Sequence, residues 1–211
     1  MDLKKLENLQ KRIHRGLILT PFREEVRYVA GCDASFPDGK TLGICVLLTY
    51  PDFKVQEISF SLLKTHFPYI PTFLSFRELP ALLHAYRNLK IKPDLILVDG
   101  QGIAHPRGLG IASHMGLIIK KPTVGVAKSR LFGNYDEEPS PERGDYVFLK
   151  NGQDVIGAVV RTRSNVKPVF VSPGNLITTE DAVEWTIRLS AGYRLPEPVR
   201  IADRISKTLL K

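Results

Sequence analysis

Three acidic side chains sit where an α/β protein can do chemistry: Asp33 and Asp99, each near the carboxyl end of a β-rich run, and Glu78 at the start of a helical stripe. Asp99 is the most telling. The apolar run Leu95-Ile96-Leu97-Val98 follows Pro93 and reads as a strand buried on both faces, which Asp99-Gly100 then closes. Open α/β sheets bind ligands beyond the carboxyl ends of their strands, and Gly100, Gly102, Gly108 and Gly110 would let backbone approach a substrate closely. In isolation Asp99 could simply cap a turn, and Glu78 could simply favour a helix N-terminus. Carboxylates that converge have another use. They repel one another unless a cation lies between them, and Mg²⁺ takes hard oxygen ligands together with a substrate phosphate.

Other residues could serve the same chemistry. Lys128 ends the next β-rich run, where an ammonium could neutralise a phosphate oxygen or could equally be solvated. His105 follows the glycine loop and could act as a proton donor near neutral pH or be structural. Pro68-Tyr69-Ile70-Pro71 is a stiff loop tip, since both prolines fix φ, and it presents an aromatic and an aliphatic side chain. Such tips suit insertion between bases, whose unstacking costs least at damaged or mismatched positions; the alternative is that Tyr69 folds back on the core.

The elements that must position these groups are readable from pattern. Residues 3–13 form an amphipathic helix, expected to be scaffold, and runs at 26–36, 42–50 and 54–64 form three strands with short turns, an antiparallel meander. A helix opens at Ser75-Phe76-Arg77-Glu78, the Asp99 strand follows, and a helix over 108–119 leads to a strand over 123–128, a β-α-β unit with parallel strands. Residues 131–144 read as a surface excursion. Strands follow at 146–150, 155–161 and 169–171, then helices over 178–189 and from about 198 to 210. Three antiparallel strands followed by parallel units, flanked by helices, is the order of a ribonuclease H-like mixed α/β sheet. In such a sheet the first and fourth strands are neighbours, which would bring Asp33 beside Asp99.

The bulk numbers agree. The 211 residues suit one domain spanning 1–211, with 43% hydrophobic and 25% charged residues. The 30 Lys and Arg against 22 Asp and Glu give a net charge of +8, which favours a polyanionic partner such as nucleic acid. The amino terminus mixes charges where a signal peptide would be apolar, and no apolar run would span a membrane, so a cytoplasmic protein without membrane partners is expected. Cys32 and Cys45, both in apolar segments, read as buried packing residues.

Several long motifs resemble the endonuclease V family: Pro68-Tyr69-Ile70-Pro71 with Phe76-Arg77-Glu78, the run from Asp99 through His105-Pro106-Arg107, and Gly125-Val126-Ala127-Lys128-Ser129. The resemblance covers nearly the whole chain. It implies that Asp33 and Asp99 bind Mg²⁺, with Mn²⁺ able to substitute, that Glu78 completes the acidic site partly through water, and that His105 and Lys128 assist at the phosphate. Tyr69 matches the wedge position, with Ile70 and Pro71 beside it. Gly100, Gly102 and Gly110 match the base pocket, and Ile111 and Leu131 would line it. The activity implied is hydrolysis of the second phosphodiester 3′ to inosine, leaving 3′-hydroxyl and 5′-phosphate ends. DNA is the expected partner, with RNA left open, and the expected state is a monomer. A ribonuclease H-like nuclease that reads nucleic-acid shape, or a binder without catalysis, are the rival readings. Two positions depart from the family pattern. Asn175 in Ser172-Pro173-Gly174-Asn175 replaces a histidine expected in a turn near the metal, and Thr72 replaces a glycine that often follows the wedge.

Overall fold

The computed structural model describes residues 2–208. One eight-stranded sheet organises it, built from β1 (Tyr28–Ser35), β2 (Lys40–Thr49), β3 (Val55–Lys64), β4 (Leu95–Asp99), β5 (Thr123–Ala127), β6 (Tyr146–Asn151), β7 (Asp154–Val160) and β8 (Val169–Asn175). The order across the sheet is β3-β2-β1-β4-β5-β8-β7-β6. The β1–β2–β3 meander is antiparallel, while β4 runs parallel to both β1 and β5, as the sequence predicts. Beyond β5 the chain turns back, and β8, β7 and β6 are antiparallel.

Among the described residues five helices cover the sheet: α1 (Leu3–His14), α2 (Leu74–Asn88), α3 (Ile111–Ile119), α4 (Thr179–Arg188) and α5 (Glu197–Thr208). Alternation along the strands makes a core on each face of the sheet, and a third cluster gathers Ile103, Ala127, Leu149, Val159 and Phe170. Ala30, Cys32, Ile96 and Val98 pack with Leu79, Leu82 and Met115 of α2 and α3. Val29, Leu95, Leu97 and Val126 pack with Val183, Val199 and Ala202 of α4 and α5. The central strand β4 feeds both, which is why its sequence is continuously apolar. Cys32 and Cys45 are free, buried and paired across β1 and β2.

Gly31 decides where α5 lies. A Cβ there would fall 2.0 Å from the Pro198 carbonyl, so only glycine lets the helix backbone rest on β1. The carboxyl half of α5 is thereby laid across the end of β1.

Some boundaries differ from expectation. The third helix begins at Ile111 and not Gly108, because Gly108 has φ +64 and cannot continue a right-handed helix. The segment expected to turn at Ser172–Asn175 stays extended and completes β8, held against β5 by Gly125↔Ser172 and Thr123↔Asn175. The last helix runs through Thr208, and its expected end at Leu210 lies outside the described residues.

Candidate active site

The parallel register Cys32↔Val98 puts Asp33 next to Asp99 at one rim of the sheet. Asp203 joins them from α5. A ligand oxygen from each of the three lies within 4.8 Å of the others. The Ser206 hydroxyl, one helical turn beyond Asp203, donates to Asp33 Oδ2, so the helix also orients the carboxylate on the strand. Lys128 follows β5 directly, and its Nζ donates to Asp99 Oδ2 (2.5 Å) and Asp203 Oδ1 (2.7 Å). Lys207 Nζ also donates to Asp203, at 2.7 Å.

The electrostatics are those of a site lacking countercharge. Burial, then the charge of Asp99, pushes Asp33 up to about 6. Glu78, the fifth residue of α2, is buried without a hydrogen-bond partner among the described residues, and burial followed by repulsion from Asp33 and Asp99 raises it to about 8. Glu78 stands outside the close trio but feels it. Burial also raises Asp99 despite Lys128, whereas in Asp203 the ammoniums of Lys128 and Lys207 outweigh burial and lower it. Lys128 and Lys207 pair with Asp99 and Asp203, and among the described residues Asp33 and Glu78 have no ion pair of their own. All-oxygen donors at this spacing fit a hard divalent cation.

The acids form the floor of a cavity of about 510 Å³ whose walls include Tyr69, Gly100, Gly110, Ile111, His105 and Leu131. Tyr69 is 66% exposed and does not fold back; its ring lies 5.9 Å from the Arg77 guanidinium, which sits 4.0 Å over Phe36. Pro71 and Thr72 also line the cavity. Ile70 and Gly102 do not. Gly102 is buried against β8, where it donates to the Ser172 hydroxyl and any Cβ would meet the Pro173 carbonyl at 2.1 Å. Its smallness serves the packing of the loop on the sheet.

Two further expectations are corrected by geometry. His105 lines the cavity, yet its Nδ1 accepts from the Arg107 amide (3.1 Å), which leaves Nε2 to donate to the Thr72 carbonyl (2.8 Å). Burial lowers its pKa to about 4. Both nitrogens are committed to backbone and the ring is neutral, so it is not poised as a proton donor. Asn175 is at the wrong end of the sheet to meet a metal: β8 is antiparallel to β5, so its carboxyl end lies at the start of β5, away from the acids. There Asn175 accepts from the Ile18 amide and donates to the Gly116 carbonyl. Thr72 has φ +69, the region that favours glycine, which explains the residue common at this point in the family pattern.

Asp203 was not singled out from sequence. Its signal was present but faint, an acid on a helix between the buried positions Val199, Ala202 and Ser206.

A model of the endonuclease V family matches residues 8–204. The chain belongs to the endonuclease V family. Among its relatives, endonuclease V of Dictyoglomus thermophilum is 48% identical over 202 residues, covering 96% of this chain and 88% of that protein. The solved structure of endonuclease V from Streptomyces avermitilis superposes with a TM-score of 0.92 at 34% identity, covering 98% of this chain and 92% of that one. Ciona intestinalis endonuclease V, solved with a 24mer DNA containing an inosine followed by a ribo-adenosine, gives a TM-score of 0.86 at 27% identity and covers 99% and 97%. The ribonuclease H-like fold and nuclease class expected from the motifs are therefore those of this chain's family. No described helix is long and apolar enough to cross a membrane.

Proposed function

We propose that the chain is a Mg²⁺-dependent endonuclease that nicks nucleic acid at the second phosphodiester 3′ to inosine. The observation that carries the reading is the meeting of Asp33, Asp99 and Asp203 on the floor of a cavity with an exposed aromatic tip at its mouth. Asp33 and Asp99 would hold the cation, with Asp203 as a third ligand or as the group that orients Lys128. Mg²⁺ bound there supplies positive charge at the scissile phosphate and makes a neighbouring water more acidic. Mn²⁺, with similar oxygen preference, would substitute.

The chain's own residues do the rest. Glu78, held above its usual range and facing Asp33 and Asp99, is placed to take a proton from attacking water once a cation lowers its pKa again. Lys128 presents an ammonium that can turn from the carboxylates to the departing oxygen. Tyr69, on a tip braced by Pro68 and Pro71, would fill the gap left when the base leaves the stack. Gly100 has φ +140 and a Cβ there would meet Ile111 at 2.7 Å, so the pocket wall is as thin as backbone permits. The nicked strand keeps its base, because none of these groups addresses the glycosidic bond.

The whole of residues 1–211 would act as one catalytic unit, monomeric and cytoplasmic, on inosine-containing DNA with RNA as a second substrate. A 5′-labelled duplex oligonucleotide with one inosine, incubated in Mg²⁺, should give one nick one nucleotide beyond the lesion with a 3′-hydroxyl end. Its adenine counterpart should stay intact, and matched RNA should be run beside it. Cleavage that ignores inosine would point to the shape-directed nuclease. Retained nicking by Asp99→Ala would remove that residue from the mechanism.

A further inference from the structure

The exposed tip at residues 68–71 is fixed from behind. The carbonyl of Thr72, immediately after the tip, accepts hydrogen bonds from Gln10 Nε2 (3.0 Å), His105 Nε2 (2.8 Å) and Arg107 Nη2 (2.9 Å). Arg107 Nη2 also donates to the Thr72 hydroxyl, and its Nε donates to Gln10 Oε1. The same guanidinium pairs with Glu7 (3.4 Å) and lies 4.5 Å over the Phe73 ring. Thr72 itself is held at φ +69.

Gln10 is fully buried, and it is the one buried residue of α1. An amphipathic helix whose buried contact is an amide is not attached chiefly by apolar packing. Its specific link to the body is this polar cluster, together with His14 Nδ1, which donates to the Gly108 carbonyl in the glycine loop (3.0 Å). The cluster therefore joins three segments: α1, the loop that lines the cavity, and the tip.

We propose that Gln10 and Arg107 are positioning residues that brace the Tyr69 tip, so that it resists being pushed back when it enters stacked nucleic acid; this rests on the reading of the cavity as a base site. A side chain that displaces a base must bear the opposing force of the stack. Two prolines stiffen the tip internally, but stiffness without an anchor moves the whole loop. Three donors on one carbonyl in a sparsely populated backbone conformation fix the anchor, with α1 as its outer buttress. The brace matters only while the base must be extracted, and becomes dispensable when the base is already unstacked.

The test is single-turnover nicking in Mg²⁺ of two substrates, inosine in a matched duplex and inosine in an unpaired bulge of the same sequence. Wild type should cut both. Arg107→Met, which keeps contact with Phe73 but loses every donor, should slow duplex nicking by about 10- to 100-fold, as expected for misplacement of a contacting group. On the bulge its loss should stay within about threefold, because unstacking has been done in advance. Arg107→Lys should fall between. Gln10→Leu, which removes the buried amide with little change in volume, should show the same substrate split and serves if Arg107→Met melts below the assay temperature. Equal losses on the two substrates, or no loss on the duplex from either variant, would overturn the brace. Failure of wild type to cut either substrate would instead refute the inosine-directed nuclease beneath it.

Discussion

Asp33→Asn should make the metal-free protein more stable, although Asp33 stands at the centre of the site. Its carboxyl is raised from 3.8 to about 6 by burial and by Asp99. For an acid with a raised folded pKa, the folded state is favoured below the unfolded pKa and loses that advantage as pH rises through the folded one. Above pH 6 the folded protein thus carries the cost of an ionised buried carboxylate, about 3 kcal/mol for a shift of two units at 1.36 kcal/mol each. Asparagine removes that charge and can still accept from Ser206. Its NH₂ group needs a partner, which takes back about 1 kcal/mol. The net gain at pH 8 is about 2 kcal/mol, or roughly 4–8 °C in Tm for a domain of this length. At pH 5 the charge cost is about halved, since the wild-type carboxyl is then mostly protonated in the folded state, and the net gain shrinks to about 0.5 kcal/mol. Saturating Mg²⁺ should reverse the ranking. It stabilises wild type by about 2.7 kcal/mol at one hundred times Kd and leaves the variant nearly unchanged. The measurement is thermal unfolding by circular dichroism at pH 5 and pH 8, with EDTA or Mg²⁺. Lower stability of Asp33→Asn at pH 8 in EDTA, or an undiminished Mg²⁺ response in the variant, would refute a site strained by its own charges.

Further expectations concern neighbouring groups. Asp203→Asn should lower Mg²⁺-dependent nicking by about 100-fold or more, as loss of a ligand or of the group orienting Lys128 would, and gel-resolved initial rates check it. Mg²⁺ binding should release about half a proton at pH 8, because Glu78 at about 8 is half protonated there and must ionise beside the cation, whereas Asp33 at about 6 is already ionised; calorimetry in two buffers of different ionisation enthalpy measures the count, and zero release would contradict it. His105 should remain neutral with its proton on Nε2 down to pH 5, since burial lowers it to about 4. Nitrogen-15 NMR of labelled histidine reads both the tautomer and the titration, and an imidazolium at pH 6 would restore the proton-donor role. Tyr69→Ala should slow duplex nicking more than nicking of inosine in single strands, by about 10-fold if stacking on the ring replaces the lost base contact.

Much of the sheet was legible because local pattern and tertiary burial agree. The run Leu95–Val98 is apolar at every position since β4 meets helices on both faces, and the alternation of β1 and β2 follows from their two cores. Asp99 was legible for a related reason: a charge that ends a run buried on both sides has only the sheet rim to occupy. Asp203 was not, because on an exposed amphipathic helix an acid is unremarkable. What makes it part of the site is the seating of α5 on Gly31, a contact between residues 31 and 198 that no local periodicity records. Asn175 failed in the opposite way. The motif carries no information on strand direction, and an antiparallel β8 carries Asn175 to the far end of β5.

His105 shows how neighbours within one motif divide the labour. Asp99 and His105 are six residues apart, and proximity in sequence suggests one shared role at the phosphate. The intervening loop separates them chemically. Gly100 and Gly110 let it fold tightly, with the Gly110 amide bonded back to the Gly102 carbonyl (2.9 Å), so Asp99 stays at the rim while His105 and Arg107 are carried to the tip at Thr72. Desolvation then settles which chemistry each can do. A carboxylate among carboxylates is raised and made ready for a cation, whereas an imidazole packed beside a guanidinium is lowered and held neutral. The same glycine loop therefore links the acids to the aromatic tip.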